Sequence, residues 1–353
     1  MGTLTTILLA ILVFGFLIFI HEFGHYITAR IFKVTINEFS IGMGPRLVWY
    51  DSKKTGIRYS LSMLPIGGYV AMAGEDGLDE SSADDPNRFD RKPAWQRFII
   101  AAAGATVNIF AGFIAMIILT SLLNIGSTKI HGFLDPEEYG FDVSSESSGL
   151  MAGDEIIEID GKGVSILDEL SYEIMRNGHE PVDVLVLRDG REELIEDVIF
   201  PTVTDGGQTF GSMDFQVYRK DKTVFTVLGA AFEKSVLIIR MCWESLFDLI
   251  TGRYTLAAVS GPVGISSAIG TAANEGPTSL LYIVALISIN LGVMNLLPIP
   301  ALDGAKTLTL IFEMITKKRV PPRVEGIINT VGLVLLLGLS FVILIKDVVQ
   351  LIL

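Results

Sequence analysis

The stretch LIFIHEFGHY (residues 17–26) sets two histidines and a glutamate at the end of eighteen uncharged residues, 3–20. An apolar run of that length, followed by Arg30 and Lys33, suits a helix crossing about 30 Å of hydrocarbon, which takes roughly 20 residues. No basic region precedes the run and no small-residue cleavage site follows it, so it reads as a retained anchor rather than a signal peptide. On such a helix His21 and His25 lie four residues apart and share a face. Ionisable side chains at membrane depth mark functional sites by default.

The rest of the 353 residues agrees with a membrane protein: half are hydrophobic and the mean hydropathy is +0.51. Besides 3–28, the stretches 98–126, 278–302 and 326–345 are long and apolar enough to span. The net charge of −13 is unevenly spread, because 125–275 holds 11 basic against 26 acidic side chains. That acidity belongs to one segment and does not imply a soluble acidic partner. Arg30, Lys33, Lys53, Lys54, Arg58, Arg91, Lys92 and Arg97 lie between spans one and two. Lys306, Lys317, Lys318, Arg319 and Arg323 lie between spans three and four. Short cytoplasmic loops are rich in such residues, so both connections are expected in the cytoplasm. Both termini and the acidic segment are then expected outside it. The lone Cys242 excludes an intramolecular disulfide and reads as a packed apolar residue. No nucleic-acid signature is present.

Three local readings follow. IRYSLSMLPIGGYVAM (57–72) alternates at strand spacing and carries turn chemistry at PIGG, which predicts a β-hairpin, either dipping into the membrane region or lying on the cytoplasmic surface. EDGLDESSADDPN (75–87) reads as a solvated loop. In the exterior segment, DEIIEIDG (154–161) and VDVLVLRDG (182–190) read as strands around a helix at 166–176, a small α+β domain. Phe232, Val236, Ile239, Trp243, Leu246 and Ile250 form one face of an amphipathic helix lying on membrane or protein.

The chemistry sits in HEFGH (21–25). Two histidines at i and i+4 can grip one ion, and Glu22 beside them can take a proton from water attacking a peptide carbonyl. Zinc needs a third protein ligand, and Asp303 at the end of NLLPIPALDG (295–304) is the outstanding candidate. Spans one and three both run inward and bring His25 and Asp303 to similar depth near the cytoplasmic side. Pro298 and Pro300 remove backbone donors, so the helix is expected to open just ahead of the carboxylate. His131 and His179 lie in the exterior segment.

With SGPVGI (260–265) between them, HEFGH and NLLPIPALDG resemble the site-2 protease family of intramembrane zinc metalloproteases. The nearest branch is the bacterial one that regulates sigma factors and carries a single PDZ domain. The resemblance covers nearly the whole chain. It implies Zn2+ held by His21, His25 and Asp303, with Glu22 as the base. GATVN (104–108) is similar to the family's second-span G-x-x-x-N motif and implicates Asn108, and Asn295 matches the asparagine before the proline-rich break. Either amide could bind substrate or serve as a helix-helix contact. Ala105 and Ala305 stand where the family often has Pro and Gly, which touches backbone detail rather than the ligands. SGLMAGDEIIEIDGK (148–162) resembles the PDZ core without the usual Ser-Pro-Ala lead-in.

The fold class expected is therefore an α-helical polytopic membrane protein, with four transmembrane helices, an inserted extracytoplasmic α+β PDZ domain and a membrane-associated β-hairpin. Its parts are 1–126 (two spans, metal motif, hairpin), 127–215 (PDZ domain), 216–275 (amphipathic helix and linker) and 276–353 (two spans and the third ligand). The resemblance implies a multi-pass protein of the bacterial plasma membrane acting on single-span proteins, such as anti-sigma factors already trimmed by a site-1-type protease, or signal-peptide remnants. A substrate helix must unwind before its carbonyls can be attacked. The hairpin, with Gly67, Gly68 and Tyr69 at its turn, is expected to pair with it by strand addition. The PDZ domain either binds peptide or excludes bulky ectodomains. Two other classes stand beside this reading: a catalytically silent PDZ-bearing scaffold, and a metal transporter, which would want polar residues along a whole path.

Overall fold

The computed structural model describes residues 2–75, 84–140, 145–205, 208–253 and 259–352. In chain order come α1 (Thr3–Ile31), β1 (Ile36–Asp51), β2 (Arg58–Met72) and α2 (Ala94–Leu122). Then follow β3 (Ile125–Phe133), the single turn α3 (Pro136–Tyr139), β4 (Glu155–Ile159), β5 (Lys162–Gly163) and α4 (Leu167–Asn177). Next are β6 (Val182–Arg188), β7 (Arg191–Val198), β8 (Thr202–Asp205), β9 (Gln208–Gly211) and β10 (Phe215–Lys220). The chain closes with α5 (Val224–Thr251), α6 (Pro262–Glu275), α7 (Pro277–Leu296), α8 (Asp303–Thr316) and α9 (Pro322–Ile352). It forms two compact units, Met1–Ala115 with Ile238–Leu353, and Met116–Leu237.

Among the described residues four helices, α1, α2, α7 and α9, are long and apolar enough to cross a membrane. The third expected span differs at its end: α7 stops at Leu296 and a new helix starts at Asp303. Pro298 and Pro300 cannot donate to a helical ladder, and Ala301 takes a left-handed φ of 73°. The chain therefore leaves the helix for six residues and re-enters it at the carboxylate.

The strand pattern at 57–72 needs correction. That stretch does not fold back on itself; it is one strand, β2, and its partner is β1. The turn lies between them, where Gly56 takes a φ of 73° and its N–H donates to Ser52 O at 2.8 Å. Each strand bends and is used twice. Residues 46–51 pair with 58–62, residues 58–61 also pair with 38–41, and 36–41 pair on their other side with 68–72. Gly67 (φ 80°), Gly68 and Tyr69 thus sit at a bend and in an edge segment, not at a hairpin tip. Ile36, Phe39, Val70, Met72 and Ile57 pack with Ala29 of α1 and Ile100 of α2, which fixes the sheet against the helices. Most of the loop at 75–87 lies outside the described residues.

A second apolar cluster joins Ala10, Val13 and Leu17 of α1 to Ile269 of α6 and to Leu280 and Ile283 of α7. The sequence reading had only a linker where α6 stands. Its N-terminus is held by Asp347 of α9, whose Oδ2 accepts the Gly264 N–H at 3.0 Å.

The unit Met116–Leu237 is an α+β body. Its sheet runs β10-β3-β4-β6-β7 with β5 paired to β4, all antiparallel, and β8–β9 form a separate ribbon. The two strands read from sequence do pair, Glu155 opposite Leu187 and Ile159 opposite Val184. Leu170 and Ile174 of α4 join Ile130, Ile156, Ile159, Val184, Val186 and Phe215 in its core. Buried Asp154 is held by Arg188 through bonds of 2.8 Å to each carboxylate oxygen.

Candidate metal centre

His21 and His25 stand one turn apart on α1, their rings edge to face with centroids 5.0 Å apart. Asp303, the first residue of α8, meets both. Its Oδ2 lies 3.0 Å from His21 Nε2 and 3.3 Å from His25 Nε2, and the two Nε2 atoms are 3.3 Å apart. These residues are the one group of three or more potential ligands found among the described residues.

The triangle fits a zinc ion. Ligand bonds of about 2.0–2.1 Å in a tetrahedral site put ligand atoms about 3.3 Å from one another. Asp303 Oδ2 is also a buried oxygen with no well-aligned hydrogen bond, although two ring nitrogens face it. Three lone-pair atoms converge there, and a cation is what such a set lacks for mutual stability. His25 is oriented for this task, since its Nδ1–H donates to the Ile100 carbonyl of α2 at 2.8 Å and leaves Nε2 free as a ligand.

Two close approaches bring the helices together. A Cβ on Gly24 would lie 2.6 Å from the Ala103 carbonyl oxygen, and a Cβ on Gly104 would lie 2.4 Å from His25 Nε2. The first glycine of GATVN therefore lets α2 lie directly across the histidine pair. Asn108, one turn further along, is fully buried, with Nδ2 3.3 Å from His21 Nδ1. Asn295 of α7 reaches the same ring nitrogen at 3.4 Å.

Glu22 is 8% exposed and borders two cavities. One is an apolar cleft of about 810 Å³ whose walls include Ile18, Met43, Leu286, Asn295 and Leu302, with Gly67 and Gly68 on one side. The other is a chamber of about 230 Å³ bordered by His21, His25, Asp303 and Tyr69. The chamber also touches the ion pair Lys306–Glu75 (2.6 Å), with the Lys306 ammonium 4.6 Å above the Phe89 ring. The structure thus brings His21, His25, Asp303, Glu22, Asn108 and Asn295 together, with Gly67, Gly68 and Tyr69 alongside. It sets Asn108 against His21 rather than on the cleft wall.

Sequence reasoning missed the Ile100 carbonyl, the Lys306–Glu75 pair and the bracing of the Asp303 loop by α9. Backbone acceptors leave no mark in side-chain identity. The third shows only in the structure, where a Cβ on Gly332 would lie 2.2 Å from Pro300 Cβ.

Comparison with known proteins agrees with this chemistry. The sequence profile of peptidase family M50 matches residues 9–339. A candidate zinc metalloprotease of Clostridium acetobutylicum is 34% identical over 97% of both chains. One of Fusobacterium nucleatum is 33% identical over 97% of this chain and 98% of its own. The zinc metalloprotease RasP of Geobacillus kaustophilus is 30% identical over 98% of both.

Proposed function

Since this chain belongs to peptidase family M50, the site-2 proteases, and is a multi-pass zinc metalloprotease, we propose that it cuts single-span membrane proteins within the bilayer. In this reading His21, His25 and Asp303 hold the zinc and Glu22 moves the proton. The observation that carries it is that Glu22, His21 and Asp303 line both the apolar cleft and the chamber, so the cleft opens directly onto the converging donors.

Zinc, when bound, supplies Lewis acidity toward the scissile carbonyl and acidifies the attacking water. Glu22 takes that water's proton as general base and returns it to the leaving amine as general acid. Burial of Glu22 against the cleft keeps bulk water from competing for the carboxylate. A substrate helix hides its carbonyls in its own hydrogen bonds, so a segment must extend before attack. The segment 68–72 is a sheet edge, and no other described strand pairs with its outer side. It supports strand addition along Gly67, Gly68 and Tyr69. Asn295, on the cleft wall, is suited to hold the extended substrate or the developing oxyanion.

The distribution of Lys and Arg supports a topology with both termini and 127–215 outside the cytoplasm of a bacterial plasma membrane. The α+β unit is suited to a PDZ role, either binding peptide or excluding substrates with untrimmed ectodomains. Substrates of this class are pre-trimmed anti-sigma factors or signal-peptide remnants, with a site-1-type protease acting first and membrane lipid surrounding the reaction.

Co-expression with a panel of single-span proteins tests the reading. Fragments should appear with the wild type and be absent with Glu22→Gln. Identical fragment patterns for the two forms across the panel would refute intramembrane cleavage.

A further inference from the structure

The surroundings of His21 Nδ1 do not match what a metal-holding imidazole requires, and the mismatch points to one side chain. A neutral imidazole carries one N–H. His21 Nε2 faces Asp303 Oδ2 and His25 Nε2, so binding a cation through Nε2 puts the proton on Nδ1, which must then donate. Nδ1 instead meets the side-chain NH2 groups of Asn108 at 3.3 Å and Asn295 at 3.4 Å. Meanwhile Asn108 Oδ1 is buried without a hydrogen-bond partner. The two ends of an amide differ only by a half-turn about its last bond.

We propose that Asn108 is a positioning residue for His21, its side-chain carbonyl accepting the Nδ1–H that a metal on Nε2 leaves on the ring. Turned this way, the amide also gives the otherwise unpaired Oδ1 a partner. The fold places Asn108 for this. It follows Gly104 by one turn, on the face that α2 presents to the histidines. It is 0% exposed, and its own backbone carbonyl is taken by Ser288 Oγ at 2.8 Å. Asn295 meets the same ring nitrogen at the longer distance of 3.4 Å and also borders the cleft. His25 has the Ile100 carbonyl in the equivalent role.

This inference rests on the assignment of His21 as a zinc ligand, and the test separates the two. Zinc affinity is measured by chelator competition on the purified full-length protein in detergent. His21→Ala should abolish binding; if it binds as tightly as the wild type, the ligand assignment fails and the Asn108 role with it. With that control met, Asn108→Leu should bind zinc about 10–100-fold more weakly, and the acceptor-only Asn108→Asp should stay close to the wild type. Wild-type affinity in Asn108→Leu, or equal weakness in both variants, would overturn the proposal. If Asn108→Leu does not fold, Asn108→Ala takes its place, with the same two outcomes.

Discussion

Gly68 lies so close to Glu22 that a Cβ at Gly68 would come within 2.8 Å of Glu22 Cγ and 2.9 Å of the Ser40 carbonyl oxygen. The sheet edge and Glu22 are therefore packed as one piece. Gly68→Ala must push either the edge segment or the Glu22 side chain aside. A misplacement near 1 Å can cost about 10²-fold in rate. The variant should lose cleavage by about that factor while retaining wild-type zinc content, because the atoms nearest the added methyl belong to Glu22, Ser40 and Ile18 and not to a proposed ligand. Unchanged cleavage in Gly68→Ala would show that the contact is incidental.

Gly332 makes a second prediction, at a distance in sequence. A Cβ there would meet Pro300 Cβ at 2.2 Å and the Pro300 carbonyl oxygen at 2.8 Å. On the same helix Asn329 Oδ1 accepts the Ala301 N–H at 3.3 Å. The last span thus braces the irregular loop that delivers Asp303. Gly332→Val should displace that loop and weaken zinc binding, read by chelator competition, although residue 332 bears no ligand. Zinc affinity equal to the wild type would contradict the bracing role.

The core of the centre was legible in the sequence because it is local: HEFGH encodes its geometry in a four-residue spacing on one helix. Asp303 was reached by expecting, from the Lys and Arg placement, that two spans bring it level with His25, and in the structure it lies beside both histidines. The sheet was read less well. Its inner pairings join residues far apart in sequence, such as Ile36 with Met72, and Leu47, Val48, Trp49 and Tyr50 are all exposed, so β1 shows no alternation between a dry and a wet face. PIGG reads as a turn because glycine and proline usually mark turns. Here they provide a bend and room for Glu22. Helix α6 was missed because small residues dominate it and its apolar contacts come from α1 and α7.

The bent sheet carries its own electrostatic anchor. Arg46 donates to both oxygens of Glu38 at 2.7 and 2.6 Å, and Ser60 Oγ adds a bond of 2.7 Å. Hydrogen bonding from Arg46, opposed by desolvation and aided by Ser60, holds the Glu38 carboxyl down to about 2. A depressed carboxylate contributes stability above its unfolded value, near 4.5, and loses it as pH falls through the folded one. The gap in thermal midpoint between the wild type and Glu38→Gln should be steady above about pH 4.5 and close toward pH 2. A gap unchanged down to pH 2 would show that the ionised form of Glu38 is not what stabilises the sheet.

The central claim is that one zinc ion is held by His21, His25 and Asp303 while Glu22 acts on protons and not on the metal. Zinc content per chain, measured by elemental analysis on purified wild type, Asp303→Ala and Glu22→Gln, tests it most directly. The account predicts about one zinc in the wild type and in Glu22→Gln, and marked loss in Asp303→Ala. Full zinc in Asp303→Ala, or its loss in Glu22→Gln, would contradict it.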